Sequence, residues 1–403
     1  MMTIFLYLLF VVAVIGTITS TIVLVLAVVG AVQFVHKRRR DRKAFEKIWQ
    51  DLPPVSIFRP LHGNEARLKE NTESVFNQKY PKYEVLFAAD TADDSALPVI
   101  REICERHPQI PSRILVLGPR PWPNPPSYCF HRMAEVANYD IFVTSDSDVE
   151  VEPDYLRDVV APLLDPKVGA VTCVFRGKSA GGPWSAMDAI GQSVEFTAGV
   201  LIANLLEGMK FGLGPTIAVR RDSVAKIGGF AALGQYFSND FVLGNFIYQA
   251  GYKVVLSGRV VAHVSQPMTF GQMWDRQVRW ALGTRYSRPK GHPGEVLTFA
   301  VPYGILALIT APLLGYPWLG VGLFAAAWLN RMVECWVIGW WAAGDPLARR
   351  IVPIYPLRDL QGFIVWCASY LSRKSAWRDN RYVLLKGGKL IARQADGTVI
   401  HPE

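Results

Sequence analysis

The sequence predicts an α/β domain built on a mostly parallel sheet and held to a membrane by apolar helices at both ends. Three observations carry this expectation. Strand-like apolar runs alternate with helix-like segments between Pro54 and Gly294, at the spacing of βαβ units. An apolar stretch from Ile4 to Val35 precedes them, broken only by neutral residues such as Thr17, Thr19, Ser20 and Thr21. Beyond Gly294, apolar stretches of spanning length return.

A hydrocarbon core about 30 Å thick takes about 20 helical residues, so Ile4–Val35 is long enough to cross with tilt. A cleavable signal peptide would want a short apolar core after a basic start, and no charge precedes this run. His36-Lys37-Arg38-Arg39-Arg40-Asp41-Arg42-Lys43 follows directly. Basic residues beside a span stay on the cytoplasmic side, which places the middle of the chain in the cytosol. The same cluster accounts for much of the net charge of +9. No basic stripe with interleaved aromatics recurs downstream, so nucleic acid is not an expected partner. The five cysteines show no CxxC spacing and read as buried thiols of a cytosolic domain.

Taken in order, VSIFRPLHGNE reads as a strand leaving through a turn, RLKENTESVFNQ as a helix and YEVLFAAD as a second strand. ALPVIREICERH is a second helix, RILVLG a third strand, MAEVANY a helix and DIFVTSD a fourth strand. Gly118 to Ser127, GPRPWPNPPS, is too rich in proline for helix or strand and reads as a loop. Pro183 to Gly212 is mostly apolar and reads as a helix, either buried or lying at the membrane interface. Val296 to Gly315 and Trp318 to Trp341 each offer a span, with Arg331 and Glu334 placed to pair inside the second. GFIVWCASYL is too short to span alone and reads as re-entrant or interfacial; the tail around Gly387-Gly388 reads as a hairpin. The expected organisation is residues 1–36 as a membrane helix, 37–53 as a basic linker and 54–294 as the α/β domain. Residues 295–343 would form two membrane helices, 344–376 the re-entrant or interfacial segment and 377–403 the cytosolic tail.

Ligands of parallel sheets bind outside the carboxyl ends of the strands. Asp90 and the pair Asp146-Ser147-Asp148 fall at such ends. Two carboxylates there suit a hard divalent cation, magnesium or manganese, with a substrate diphosphate filling its remaining positions. Acidic pairs are also common in surface turns, so the pair alone specifies little. Downstream, Asp240 lies in the glycine-flanked stretch GGFAALGQYFSNDFVLG, and WDRQVRWALGTR supplies Arg276, Arg279 and Trp280. Arginine pairs with phosphate through a planar, permanently charged fork. The alternatives are an N-cap role for Asp240 and an ordinary amphipathic helix for the Arg/Trp set. His263, in VVAHVSQP, is a candidate third metal ligand, against a simple hydrogen-bonded histidine.

The order Asp90, Asp146-Ser147-Asp148, Asp240 and Arg-x-x-Arg-Trp at 276–280 resembles the inverting GT-A glycosyltransferases. More narrowly it resembles the ceramide glucosyltransferase family, including bacterial hopanoid-associated relatives. YPKYEVLFAADTADDSA, VGAVTCVFRG, FGLGPTIAVRRDSVAKIGGF and PLRDL are similar to family segments in family order, and the likeness runs from Pro54 onward. It implies a GT-A domain, Rossmann-like, in the cytosol of an integral protein of a bacterial inner membrane. It further implies that Asp90, with Asp93 as rival, contacts the uridine of a UDP-sugar. Asp146 and Asp148 would hold Mn2+ or Mg2+ and the diphosphate, and Asp240 would be the general base on a membrane-lipid acceptor. Arg276, Arg279 and Trp280 would bind the diphosphate and shape the acceptor end. The chain departs from the family pattern at Asn239, where an acid is common, and in NPPSYCFHRM, which lacks a lysine that Arg120 or His131 would replace. Glucose or N-acetylglucosamine as donor, and ceramide or a hopanoid polyol as acceptor, stay open. A processive polysaccharide synthase would need more spans than are visible to line a channel. A non-catalytic membrane scaffold leaves the order of the motifs unexplained.

Overall fold

The computed structural model describes residues 1–48, 51–371, 374–377, 380–393 and 399–400. Helix α1 (Met2–Phe45) is continuous for 44 residues. The basic cluster therefore begins as a prolongation of the apolar helix, supported by a Lys37–Asp41 pair one turn apart. Small residues let α1 lie close on its neighbours: a Cβ on Gly30 would stand 3.0 Å from the Leu201 carbonyl oxygen, and one on Gly16 would enter the Tyr303 ring.

The first half of the α/β domain alternates β1 (Val55–Pro60), α2 (Leu68–Phe76), β2 (Tyr83–Ala89), α3 (Leu97–Arg106), β3 (Ser112–Val116), α4 (Pro125–Val136) and β4 (Ile141–Ser145). After β5 (Val149–Glu150) and α5 (Tyr155–Val160) come β6 (Val168–Ser179), α6 (Pro183–Gly191), α7 (Thr197–Glu207), β7 (Thr216–Arg220), α8 (Arg221–Lys226), α9 (Asn239–Gln249), β8 (Lys253–Ser265) and α10 (Phe270–Ser287). Eight strands form one sheet in the order β3-β2-β1-β4-β7-β6-β8-β5. The first four strands in this order are mutually parallel, as are β6 and β8, whereas β7 and β5 run antiparallel to their neighbours. β1 and β2 are buried on both faces apart from Pro60, as helices on both sides of a parallel sheet require. The fold is thus the α/β, largely parallel architecture with apolar helices attached.

One expectation is corrected. The proline-rich stretch is not loop to its end, because Pro125 and Pro126 open α4. Proline lacks an N–H that the first helical turn leaves unpaired anyway. Asn124 caps that turn, its side-chain oxygen accepting from Ser127 N at 3.0 Å.

The Pro183–Gly212 helix is α6 and α7 joined through a π-helical turn, Gln192–Phe196. Among the described residues, three helices, Met2–Phe45, Pro183–Glu207 and Pro317–Ala342, are long and apolar enough to cross a membrane. The stretch read as a span from Val296 is a bent pair: a 3-10 turn, His292–Thr298, meets α11 (Val301–Leu313) at 56°. Asp359 explains the break, since its carboxylate accepts the N–H groups of Ala300 and Val301 at 2.9 and 2.8 Å. Next come α12 (Pro317–Glu334), continued by a π-helical segment to Ala342, then α13 (Pro346–Ile351) and α14 (Pro356–Ala368). Arg331 and Glu334 pair at 2.8 Å inside the protein. The tail forms a small antiparallel sheet, β12-β11-β10-β9, from β9 (Lys374–Trp377), β10 (Asn380–Leu384), β11 (Leu390–Arg393) and β12 (Val399–Ile400). Gly387 and Gly388, at φ 81° and 78°, make the turn between β10 and β11. Residues 378–379, 394–398 and 401–403 of the tail lie outside the described residues.

Candidate active site

Strand β4 ends at Ser145, so Asp146-Ser147-Asp148 forms the turn into β5 at the carboxyl edge of the sheet. The turn is built from beneath. Arg59, fully buried at the end of β1, donates to Ser145 Oγ at 3.2 Å and to the Ser147 carbonyl at 3.0 Å. Asn71 Nδ2 reaches the same carbonyl at 3.3 Å, and Ser147 Oγ donates to Glu65 at 2.6 Å. Ser147 therefore points inward, and the alternation leaves both flanking carboxylates turned from the core.

The β5–β8 ladder sets Val149 opposite His263, which brings His263 Nε2 to 3.1 Å from Asp148 Oδ2. His263 Nδ1 meets Gln192 Oε1 at 2.7 Å. Gln192 Nε2 donates to Asp188 Oδ2 and Ser265 Oγ, both at 2.9 Å, which fixes the orientation of the amide. Asp188 Oδ2 also lies 3.3 Å from Arg276 Nε, and the Arg276 guanidinium sits 4.7 Å over the Trp280 ring. Trp280 in turn faces His263 with ring centres 6.2 Å apart. Arg279 stands on α10 one turn from Arg276. Asp148, His263, Arg276 and Trp280 are thus linked by contact, with Asp146 two positions before Asp148 in the chain.

Asp240 is in the first turn of α9. The backbone N–H groups of Phe241, Asp240 itself and Gly214 favour the charged form of its carboxylate. A Cβ at Gly214 would come within 3.0 Å of Asp240 Oδ2, so the close approach needs glycine there. Asp240 is near enough to Asp146 to raise the cost of ionising Asp146. Asp90 sits at the end of β2 on the same edge and pairs with Arg120 at 3.1 Å. Asp93 lies apart from these residues, exposed in the following turn. His131 pairs with Glu135 at 3.4 Å and packs on Trp122 rather than reaching Asp90.

Charge divides the acids. Burial, with Asp148 beside it, pushes the Asp146 carboxyl up to about 7. Burial opposes ionisation of Asp148 too, but His263, Arg276 and Arg59 outweigh it and hold that carboxyl below the usual range. Burial pushes Asp240 up against its three N–H donors. Arg59 is lowered by burial to about 10, and stays charged at neutral pH.

Sequence reasoning missed Arg59, Glu65, Asp188 and Gln192. Arg59 carried a signal, a lone charge inside the apolar strand VSIFRP. Gln192 carried none, because only the π-helical turn aims it at His263.

Among the described residues, no group of three or more His, Cys, Asp and Glu side chains forms a ready metal cage. A magnesium or manganese ion completed by a diphosphate needs only one or two carboxylates, and two observations fit such an ion. Asp148 Oδ1 is buried without a hydrogen-bond partner. With His263 Nδ1 facing Gln192 Oε1, the Nε2 that faces Asp148 Oδ2 at 3.1 Å needs a proton or a cation between the two atoms.

The family described as Glycosyl transferase family 21 matches residues 8–390. Ceramide glucosyltransferase 1 of Caenorhabditis elegans is 24% identical over 344 residues, 84% of this chain and 73% of that protein. Probable glycosyltransferase YdaM of Bacillus subtilis (strain 168) is 24% identical over 59% of this chain and 56% of that protein. The mannosyltransferase PcManGT from Pyrobaculum calidifontis, solved in complex with GDP-Man and Mn2+, superposes with a TM-score of 0.49 at 20% identity, over 87% of this chain and 97% of that one.

Proposed function

Because the chain belongs to glycosyl transferase family 21 and is therefore a glycosyltransferase, we propose that it moves one hexose from a UDP-sugar to a lipid hydroxyl with inversion. The acceptor class follows from the apolar helices around the site and from the ceramide glucosyltransferases among its relatives. The observation that carries the reading is Asp240, a carboxylate in the first turn of α9 whose ionisation is opposed by burial and whose charge is felt by Asp146.

Asp240 takes the proton of the acceptor hydroxyl as its oxygen attacks the anomeric carbon. The bond from that carbon to the diphosphate oxygen breaks, and its electron pair leaves with UDP. A positioned base of this kind contributes about 10²–10⁴-fold. One displacement opposite the leaving group inverts the centre, whereas retention would need a second carboxylate as nucleophile. Arg276 and Arg279 neutralise charge growing on the diphosphate, and Trp280 covers the acceptor end. Asp90 orients the uridine; Asp93, exposed to solvent, is the weaker candidate. Asp146 and Asp148, with His263 as a third ligand, would hold a divalent ion whose chemistry is stabilisation of the departing diphosphate.

The domain would face the cytosol from a bacterial inner membrane, on the side of the Lys37–Lys43 cluster. The test is transfer by the purified protein from UDP-glucose and UDP-N-acetylglucosamine to ceramide and to a hopanoid polyol, read by mass spectrometry. Asp240→Asn should abolish product while UDP-sugar affinity stays within about twofold. Near-normal transfer by that variant would remove Asp240 from the role of base.

A further inference from the structure

The stretch just before Asp240 is gripped from three directions. The loop after β3 holds its start: Asn124 N donates to the Gly234 carbonyl at 3.1 Å, and Asn124 Nδ2 to that of Tyr236 at 2.8 Å. Trp122 lies so close on Gly234 that a Cβ there would overlap the ring. Helix α10 closes a second side, since a Cβ on Gly283 would meet Ser238 Oγ at 3.2 Å. The third grip comes from the tail, some 150 residues later. Phe237 N donates to the Gly388 carbonyl and Leu390 N to the Gln235 carbonyl, both at 2.9 Å, and Tyr236 and Lys389 form an antiparallel bridge. Tyr382 and Leu390, buried, close over Phe237. The stretch is therefore annealed as a short additional strand at the start of β11.

We propose that the C-terminal sheet is a positioning device for the base, setting the strand register of residues 235–237 and so the height of Asp240 in the crevice. The inference rests on Asp240 as base. The physical reason is the step size of a strand. A slip of one residue displaces the chain by about 3.3 Å and turns alternate side chains to the other face. A base has to lie within about 2.6–3.2 Å of the hydroxyl that it deprotonates. Ordinary packing tolerates small shifts, whereas paired main-chain bonds admit one register. Tyr382, Gly388 and Leu390 are thus positioning residues that touch no substrate.

Leu390 allows a selective test. Its N–H serves Gln235 rather than the tail's own ladder, in which Leu385 N bonds the Lys389 carbonyl at 2.7 Å. Leu390→Pro in the full-length protein therefore removes a bond to the 235–237 strand, and Leu390→Met keeps it. Tyr382→Ala removes the packing under Phe237, and Lys386→Ala, at an exposed turn residue, is the control. Steady-state transfer, UDP-sugar affinity and the thermal midpoint are measured for each, alongside Asp240→Asn. The expected result is kcat at least tenfold lower in Leu390→Pro and Tyr382→Ala, with UDP-sugar affinity within twofold of wild type. Leu390→Met and Lys386→Ala should keep wild-type kcat. Two results overturn the proposal: kcat within twofold of wild type in both disruptive variants while Asp240→Asn is inactive, or kcat and UDP-sugar affinity falling together. Transfer by Asp240→Asn at the wild-type rate overturns the reading of the base instead, whatever the tail variants do.

Discussion

At the scale of single residues, the site works by unequal treatment of like groups. Asp148 is held ionised by its cationic neighbours, whereas Asp146 and Asp240 are pushed toward the protonated form by burial. For Asp240 the sign has two consequences. A base must be ionised, so the acid limb of kcat/KM should fall off at a pH above the ordinary aspartate value of about 3.9. A raised folded-state pKa also favours the fold below the unfolded pKa, and that contribution is lost as pH rises through the folded value. Asp240→Asn should therefore raise the thermal midpoint at neutral pH, with the gain shrinking on acidification; a lower midpoint at pH 7 would contradict it. Asp148→Ala should weaken UDP binding at least tenfold in manganese and little in chelator, by calorimetry. Arg59→Met leaves the acceptors under the acidic turn unpaired and should cost about 1–3 kcal/mol of stability. The acids, arginines and Trp280 stood out in the sequence because their residue types are specific and their order is read along the chain. Their supports were not: a buried glutamine or arginine declares its partner only once the strands are paired.

Elements were legible where periodicity was clean, from β1 through β4, because a parallel sheet buried on both faces writes short apolar runs into the chain. They were less so where a local rule had two readings. Prolines 125 and 126 suggested loop, yet the same residue type suits a helix start when an Asn precedes it. Asn124 now serves α4 and the Gly234–Tyr236 stretch together. Asn124→Ala should cost about 1–2 kcal/mol from the cap alone; a wild-type thermal midpoint would show the cap to be idle. The π-helical turn at Gln192–Phe196 has no sequence signature, since it inserts a residue into a pattern that still reads as helix.

Across the whole molecule, an ionic chain joins the apolar helices to α10. Arg331 pairs with Glu334 at 2.8 Å and with Asp359 at 3.5 Å; beside Asp359, Arg358 reaches Glu195 at 3.0 Å and Gln277 of α10 at 3.1 Å. Arg331→Met strands two buried acids and should cost about 3–5 kcal/mol, with Arg331→Met/Glu334→Met less harmful than the single change. Detergent thermal denaturation measures both. The sequence indicated the Arg331–Glu334 pair, one turn apart, but not its extension through Asp359, which needs helices distant in the chain to meet. The unbroken α1 has a consequence for how substrate arrives. At about 1.5 Å per residue its 44 residues reach about 66 Å, roughly twice the thickness of a hydrocarbon core. It touches Tyr303 at Gly16, Leu201 at Gly30 and, through Arg38, the backbone at Gly258. Leu201 and Gly258 belong to the α/β domain and Tyr303 to α11, so the helix is packed against the domain at two levels and against a second apolar helix at a third. On the proposed function, a lipid acceptor would have to lift its own head to the height of the site, and how far it protrudes would become a measuring stick for what the enzyme accepts.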